Sequence, residues 1–144
     1  MKNLIFNIES QLYPFNIAFI VGQKPNAKLL SKVSRKYNLW NGQGDSPAVS
    51  DGVASTYTFH KGGCMVFIPW DKRKTVAISV FVHELIHVIS HLSHRIGQKM
   101  NIETDELHAY FAEWVTNEFF KRLNHERNRL PRKPARRRAS ARTA

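Results

Sequence analysis

The residues that most clearly could carry out chemistry are five consecutive ones, His83-Glu84-Leu85-Ile86-His87, which form an H-E-x-x-H motif. Residues four apart on a helix lie on one face, so the two histidines can reach a single metal ion. A bound Zn²⁺ lowers the pKa of its water to about 7, and a neighbouring carboxylate can take the proton as that water attacks a carbonyl group. The motif therefore predicts one Zn²⁺ held by His83 and His87, with Glu84 as the general base. The alternative is a buried helix whose histidines are satisfied by hydrogen bonds.

A catalytic zinc site needs a third protein ligand, and the chain lacks the extended motif that ends in a third histidine. Ser90 and Ser93 stand where that motif has its glycine and its last histidine. The other common ligand is a glutamate from the next helix. We select Glu106 because it falls in the first turn of that helix, beside the small Ala109. The other acidic side chains of this region are Glu103, Asp105 and Glu113.

Several of these residues also have simpler interpretations. Acidic residues at a helix N-terminus stabilise the helix dipole, which accounts for Glu103, Asp105 and Glu106 without a metal, and Glu113 could orient a ligand. Tyr110 could donate a hydrogen bond to an oxyanion or belong to the core. The same two roles are open to His108. His91 and His94 continue along the motif helix. They could support the metal ligands, form an alternative pair of ligands, or be solvated or hydrogen-bonded histidines near the helix end.

The two helical motifs resemble those of a known family. HELIH followed by E-x-x-A-Y, which is Glu106 to Tyr110, resembles the small zincins of the gluzincin type and short metallopeptidase-like proteins encoded by bacteriophages. The likeness covers approximately residues 53–123. It implies that His83, His87 and Glu106 bind zinc and that Glu84 is the general base. It also implies that the strand before the motif helix is an edge strand that pairs with an extended peptide substrate. The residues of that strand are Cys64, Met65, Val66, Phe67 and Ile68.

The elements that must position these side chains follow from local patterns. We predict an α+β fold, a minimal zincin-like domain in which a small, mostly antiparallel sheet packs on the H-E-x-x-H helix and the following helix. Thr75 is the expected N-cap of the motif helix and Gly97 its stop signal, and Pro69 favours either an edge position or the end of the preceding strand. Gly62 and Gly63 supply the positive φ of a tight hairpin. The predicted strands are 15–21, 53–60 and 63–70, and the predicted helices are 25–37, 76–92 and 104–123, with a surface loop over 38–52.

The charge is unevenly distributed along the 144 residues. The net charge is +11, and residues 121–144 contain ten of the 22 Lys and Arg residues but one of the 11 Asp and Glu residues. We therefore expect a folded domain over 1–126 and a basic, disordered tail over 127–144. The tail could bind nucleic acid non-specifically through phosphate contacts, or dock on an acidic protein. Its candidate phosphate-binding residues are Arg132, Lys133, Arg136, Arg137 and Arg138.

Composition limits the remaining classes of protein and their expected location. Cys64 is the single cysteine, and no apolar run approaches the roughly 20 residues that span a bilayer, so we expect a cytoplasmic protein without membrane contact. For a phage-encoded chain this means the host cytoplasm or the virion. The sequence thus predicts a zinc-dependent peptidase acting on peptides or proteins. The alternative is a non-catalytic virion or nucleic-acid-associated protein that keeps the same fold.

Overall fold

Four strands and three helices make up the described part of the chain. The structure is a computed structural model, and it describes residues 3–10, 13, 15–39, 52, 54–59, 63–71 and 75–129. The predicted loop over 38–52 and the basic tail lie almost entirely outside these ranges. The strands are β1 (Leu4–Glu9), β2 (Asn16–Gly22), β3 (Ser55–Phe59) and β4 (Gly63–Pro69), and the helices are α1 (Ala27–Lys36), α2 (Ile78–Ile96) and α3 (Asp105–Arg129).

The strands form one mixed sheet in the order β1-β2-β4-β3. β1 pairs antiparallel with β2, β2 pairs parallel with β4, and β4 pairs antiparallel with β3. The α+β class is confirmed. β1 was not among the predicted strands, although its side chains alternate as a half-buried strand requires: Leu4, Phe6 and Ile8 are buried, and the residues between them are more exposed.

The prediction that residues 64–68 form an edge strand is wrong. β4 is an interior strand with a partner on each side, and β3 occupies the edge next to it. Cys64, Met65, Val66, Phe67 and Ile68 are all buried, as expected for a strand covered on both faces. Pro69 is tolerated because it is the last residue of the strand. Residues 64–67 therefore have no free side for a substrate strand, since they pair with both β2 and β3, and Ile68 pairs with β2.

Helices cover both faces of the sheet. α1 packs on one face, over a cluster that includes Ile20, Leu30 and Met65. α2 and α3 pack on the other face, where Phe119 lies at the centre of an aromatic cluster. Its ring centroid is 4.4 Å from that of Phe81 on α2 and 4.9 Å from that of Phe19 on β2. This cluster fixes α2 against the sheet and so positions the H-E-x-x-H motif. No helix in the described ranges is both long and apolar enough to cross a bilayer.

The ends of α2 and α3 differ in part from the predictions. The predicted Thr75 cap is wrong: α2 begins after Ala77, which makes no side-chain capping bond. The predicted stop is confirmed, since Gly97 has the left-handed conformation with φ of 69°. α3 continues to Arg129, past the predicted end at 123 and into the segment predicted to be disordered.

Gly63 has a different role from the predicted one. It is the first residue of β4, and its φ is not positive. A Cβ atom at this position would lie 1.9 Å from the carbonyl oxygen of Asn16 on β2. Glycine is therefore required here because the parallel β2 and β4 backbones approach closely.

Candidate functional site

The H-E-x-x-H motif lies in a groove between α2 and the edge strand β3. The groove has a volume of about 650 Å³, which is within the range of small-ligand sites. Side chains at positions 83, 87, 90, 91 and 94 recur along one side of α2, because 3.6 residues make a helical turn. The lining residues are Ala54, Ser55, Thr56, Tyr57, Thr58, His83, Glu84, His87, Ser90, His91 and His94.

The structure brings His83 and His87 together on the exposed side of this groove. Their Nε2 atoms are 3.3 Å apart and the ring planes meet at 74°. As neutral imidazoles, one ring donates and the other accepts at this distance. Two nitrogens that each lie about 2.05 Å from a tetrahedral Zn²⁺ are separated by about 3.3 Å. The 3.3 Å separation therefore fits a hydrogen bond between the two rings and equally two ligands of one metal ion.

Glu84 lies between the two histidines in sequence but points toward the sheet. Its side chain is buried, with 4 % of the residue exposed. The Thr56 hydroxyl on β3 donates to Glu84 Oε2 over 2.6 Å. This bond gives a buried carboxylate the donor it needs and joins α2 to the edge strand. Thr56 is a site residue that the sequence predictions missed. The alternation of β3 could have indicated it, because Thr56 and Phe59 lie on opposite faces of the strand.

Two further histidines of α2 line the same groove. His94 is exposed, whereas His91 packs against the ring of Phe15. Burial lowers the pKa of His91 from its ordinary value of 6.5, and the positive charge of Arg95 lowers it further. Hydrogen bonds to the backbone of Phe59 and Gly63 act in the opposite direction. The His91 Nε2 atom is buried and has no hydrogen-bond partner. Both features favour the neutral imidazole.

The structure does not bring Glu106 to the histidine pair. Two contacts show that α3 runs antiparallel to α2. Phe119, late in α3, contacts Phe81 near the start of α2, and His108, early in α3, contacts Ser93 near the end of α2. Ser93 is already about 9 Å beyond His87 along the helix axis, and Glu106 lies on the far side of this contact. Glu106 is exposed in the first turn of α3, where an acidic side chain suits the helix dipole.

No group of three His, Cys, Asp or Glu side chains within the described residues could hold a metal ion. The pair formed by His83 and His87 therefore supplies two ligands and not three. The other acidic side chains of this region, Glu103, Asp105 and Glu113, are also exposed.

Tyr110 and His108 lie away from the groove. Tyr110 is 67 % exposed and lines a separate cavity of about 470 Å³ beside Tyr13 and Trp114. His108 is buried between α2 and α3, where its Nε2 is 2.6 Å from Ser93 Oγ and its Nδ1 is 2.6 Å from the Thr104 carbonyl oxygen. The carbonyl can only accept, so Nδ1 carries the proton. Ser93 Oγ lies within hydrogen-bond distance of both His108 Nε2 and the Ile89 carbonyl oxygen, to which it donates over 2.8 Å. His108 thus joins two helices and is not available as an oxyanion donor.

Cys64 does not line the groove, and the predicted phosphate-binding residues of the tail lie outside the described residues. Cys64 is fully buried, and burial raises the pKa of its thiol, so it remains a neutral core side chain. The five candidate phosphate-binding residues of the tail, between 132 and 138, are among those that the structure does not describe.

Comparison with known proteins gives no relative from which a function could be transferred. No protein-family profile, no curated protein and no solved structure matches this chain. Any assignment of function therefore depends on the groove and its chemistry.

Proposed function

We propose that this protein is a zinc-dependent peptidase with a zincin-like domain, and that His83 and His87 bind the metal ion. The observation that carries the proposal is that the Nε2 atoms of the H-E-x-x-H histidines lie 3.3 Å apart at the groove, a separation that fits two imidazole ligands on a tetrahedral Zn²⁺ as well as a hydrogen bond between the rings. The described residues supply these two of the three protein ligands that a catalytic zinc site needs. Both side chains are exposed to the groove. When bound, Zn²⁺ would polarise a substrate carbonyl and make water a stronger acid.

Glu84 is the proposed general base. Its Oε2 atom is occupied by the Thr56 hydroxyl, so we assign proton transfer to Oε1. The bond from Thr56 restricts the rotation of the carboxylate. The carboxylate therefore does not have to be reoriented when a substrate binds. The same bond ties the base to β3, the strand along which the substrate would lie.

β3 is the proposed peptide-binding strand, in place of β4. It is an edge strand of the sheet formed by the described residues and it borders the groove, and edge strands are the ones to which an extended peptide can add. Main-chain pairing places a peptide without requiring a particular sequence. A peptide bound to Ser55–Phe59 would pass the histidine pair, which lies across the groove on α2.

Metal content and hydrolysis, measured on the same preparations of the full chain, test this proposal. We expect about one zinc per chain by mass spectrometry of the metal, and hydrolysis of unfolded casein. Glu84→Gln should keep the zinc and lose at least about 100-fold in rate, because the amide cannot take a proton. A chain that binds zinc but has equal activity with Glu84→Gln would contradict the assignment of the base.

A second candidate function is a non-catalytic nucleic-acid-associated protein. The observation that favours it is the end of α3, where Arg127 and Arg129 are exposed on a helix that leads into the basic tail. Deleting residues 130–144 should then weaken binding to a DNA or RNA duplex and reduce its salt dependence. Undiminished binding after the deletion would exclude this role for the tail.

A further inference from the structure

The cavity beside Tyr110 is separate from the H-E-x-x-H groove and is lined mainly by aromatic rings. It lies between the end of β1 and α3 and has a volume of about 470 Å³. Tyr13, Tyr110, Phe111 and Trp114 contribute rings to it. Phe111 is buried, and its ring centroid lies 5.7 Å from that of Trp114. Tyr110 is 67 % exposed, so its side chain is open to a ligand.

Exposed carboxylates flank these rings. Glu106 and Glu113 lie four residues before and three residues after Tyr110, so the three side chains are neighbours along one face of α3. Glu9 lines the cavity from the end of β1. All three carboxylates are exposed, and none forms an ion pair with another described residue. This combination favours arginine as a ligand, because a guanidinium group can both stack on a ring and bond to a carboxylate.

The other charged residues of the cavity lie at its opposite end. Glu118 and Arg122 line it there, and Glu118 Oε2 is 3.7 Å from Arg122 Nε. Glu118 Oε1 is 3.1 Å from Lys121 Nζ, so this carboxylate is already paired. Glu118 and Arg122 are about 12–18 Å from Tyr110 along the helix axis. The acidic end of the cavity is therefore the one at Tyr110.

The chain carries arginines of its own close to this cavity. Residues 130–144 follow directly on α3, the helix that forms one wall of the cavity. They contain six Lys and Arg residues and no Asp or Glu, so their charge is complementary to that of the exposed carboxylates. The six residues are Arg132, Lys133, Arg136, Arg137, Arg138 and Arg142.

The length of chain between α3 and these arginines matches the distance to the rings. Arg129, the last residue of α3, is about 22 Å from Trp114 and about 28 Å from Tyr110 along the helix axis. The arginines at 136–138 lie seven to nine residues beyond Arg129. That is a reach of about 23–32 Å at about 3.3–3.6 Å per residue, and Arg142 can reach further. A chain that turns back along α3 can therefore bring these arginines to the cavity.

We propose that the cavity beside Tyr110 binds arginine side chains of the chain's own basic tail, chiefly Arg136, Arg137 and Arg138. This docking does not depend on the proposed peptidase function. A guanidinium group that is held on Tyr110 and paired with Glu106 or Glu113 cannot contact a phosphate at the same time. The docked tail is therefore withheld from non-specific contacts with nucleic acid until a polyanion displaces it.

Paramagnetic relaxation in the full chain tests this docking. A nitroxide label is attached through Ala139→Cys, next to the three arginines. The native Cys64 is fully buried, so it does not compete for the label. The readout is the indole N–H signal of Trp114 in a nitrogen–proton NMR spectrum of the isotope-labelled chain, assigned with Trp114→Phe. We expect the oxidised label to broaden this signal and reduction of the label to restore it.

Variants of the ring and of the arginines assign the broadening to the cavity. Tyr110→Ser should lower the docking equilibrium constant about two- to fivefold, as the loss of one exposed cation–π contact predicts. Tyr110→Phe is the matched control, since it keeps the ring and should retain docking. The combined variant Arg136→Gln, Arg137→Gln and Arg138→Gln should abolish the broadening. It alters no residue of the described fold, and circular dichroism checks that the fold is kept.

Three results would overturn the inference. The first is a Trp114 signal that the oxidised label leaves unchanged. The second is broadening that is equally strong with Tyr110→Ser or with the three glutamines, because the tail would then lie near the cavity without binding to it. The third comes from a mixture of an isotope-labelled chain without nitroxide and a nitroxide-labelled chain without isotope. Broadening of Trp114 as strong in this mixture as in the doubly labelled chain would assign the cavity to the tail of a second copy.

Discussion

Replacing Thr56 by valine should weaken the connection between the edge strand and the H-E-x-x-H helix. Valine has nearly the same shape, so the change removes the hydroxyl that donates to Glu84 Oε2 over 2.6 Å and little else. The carboxylate is buried, with 4 % of the residue exposed, so water does not easily replace the lost donor. A hydrogen bond to a charged group contributes about 1.5–3 kcal/mol. We therefore expect Thr56→Val to lower the free energy of unfolding by about 2 kcal/mol.

Urea denaturation followed by circular dichroism measures this loss. With a slope of about 2 kcal/mol per M of urea, 2 kcal/mol lowers the midpoint by about 1 M. Thr58→Val is the matched control, since Thr58 lies on the same strand and is exposed, and it should change stability by less than about 0.5 kcal/mol.

A double-mutant cycle assigns the loss to the Thr56–Glu84 pair. In a Glu84→Gln background the partner is neutral, so Thr56→Val should cost only about 1 kcal/mol. If Thr56→Val costs no more than Thr58→Val, or the same in both backgrounds, then Thr56 does not hold the Glu84 carboxylate. The orientation of the proposed base would then need another explanation.

Three further predictions concern the scaffold of the site. His108→Ala should lower the free energy of unfolding by about 1–3 kcal/mol in urea denaturation, because it removes the buried imidazole that bonds to Ser93 on α2 and to the Thr104 carbonyl oxygen. The exposed His125→Ala should have little effect, and equal losses would contradict the helix-joining role. Gly63→Ala should prevent native pairing of β2 with β4, since the new Cβ would lie 1.9 Å from the Asn16 carbonyl oxygen. A native circular dichroism spectrum with unchanged thermal stability would show that the two strands are not so close. Burial lowers the pKa of His91, so the unfolded chain binds the proton more readily, and stability should fall as the pH drops below about 6.5. His91→Phe should reduce that slope in thermal melts, and an identical pH dependence in both chains would refute the assignment.

The local features of the site could be predicted from the sequence. The i, i+4 spacing of His83 and His87 specifies a shared helix face wherever the helix lies. The spans of β2, β3 and β4 follow from short runs of apolar and β-branched residues, and the end of α2 follows from Gly97. Each of these depends on residues that are close together in the chain.

The non-local features could not be predicted. The apolar run from Cys64 to Ile68 fits either an edge or an interior strand, and the order of the sheet depends on pairing with β2, more than 40 residues earlier in the chain. The position of Glu106 likewise depends on how α3 packs on α2, and that packing is determined by contacts such as those of Phe119 and His108. A motif on one helix contains no information about the order of the strands or about the packing of α3 on α2.

The affinity of the full chain for Zn²⁺ tests the central claim of this account most directly. Titration against a chromophoric zinc chelator should show one site per wild-type chain. His83→Ala and His87→Ala should each lose that site, whereas His94→Ala, which removes a histidine from the same groove, should retain it. A folded wild-type chain that binds no zinc, or a site that survives both substitutions, would contradict the claim that the two histidines are metal ligands.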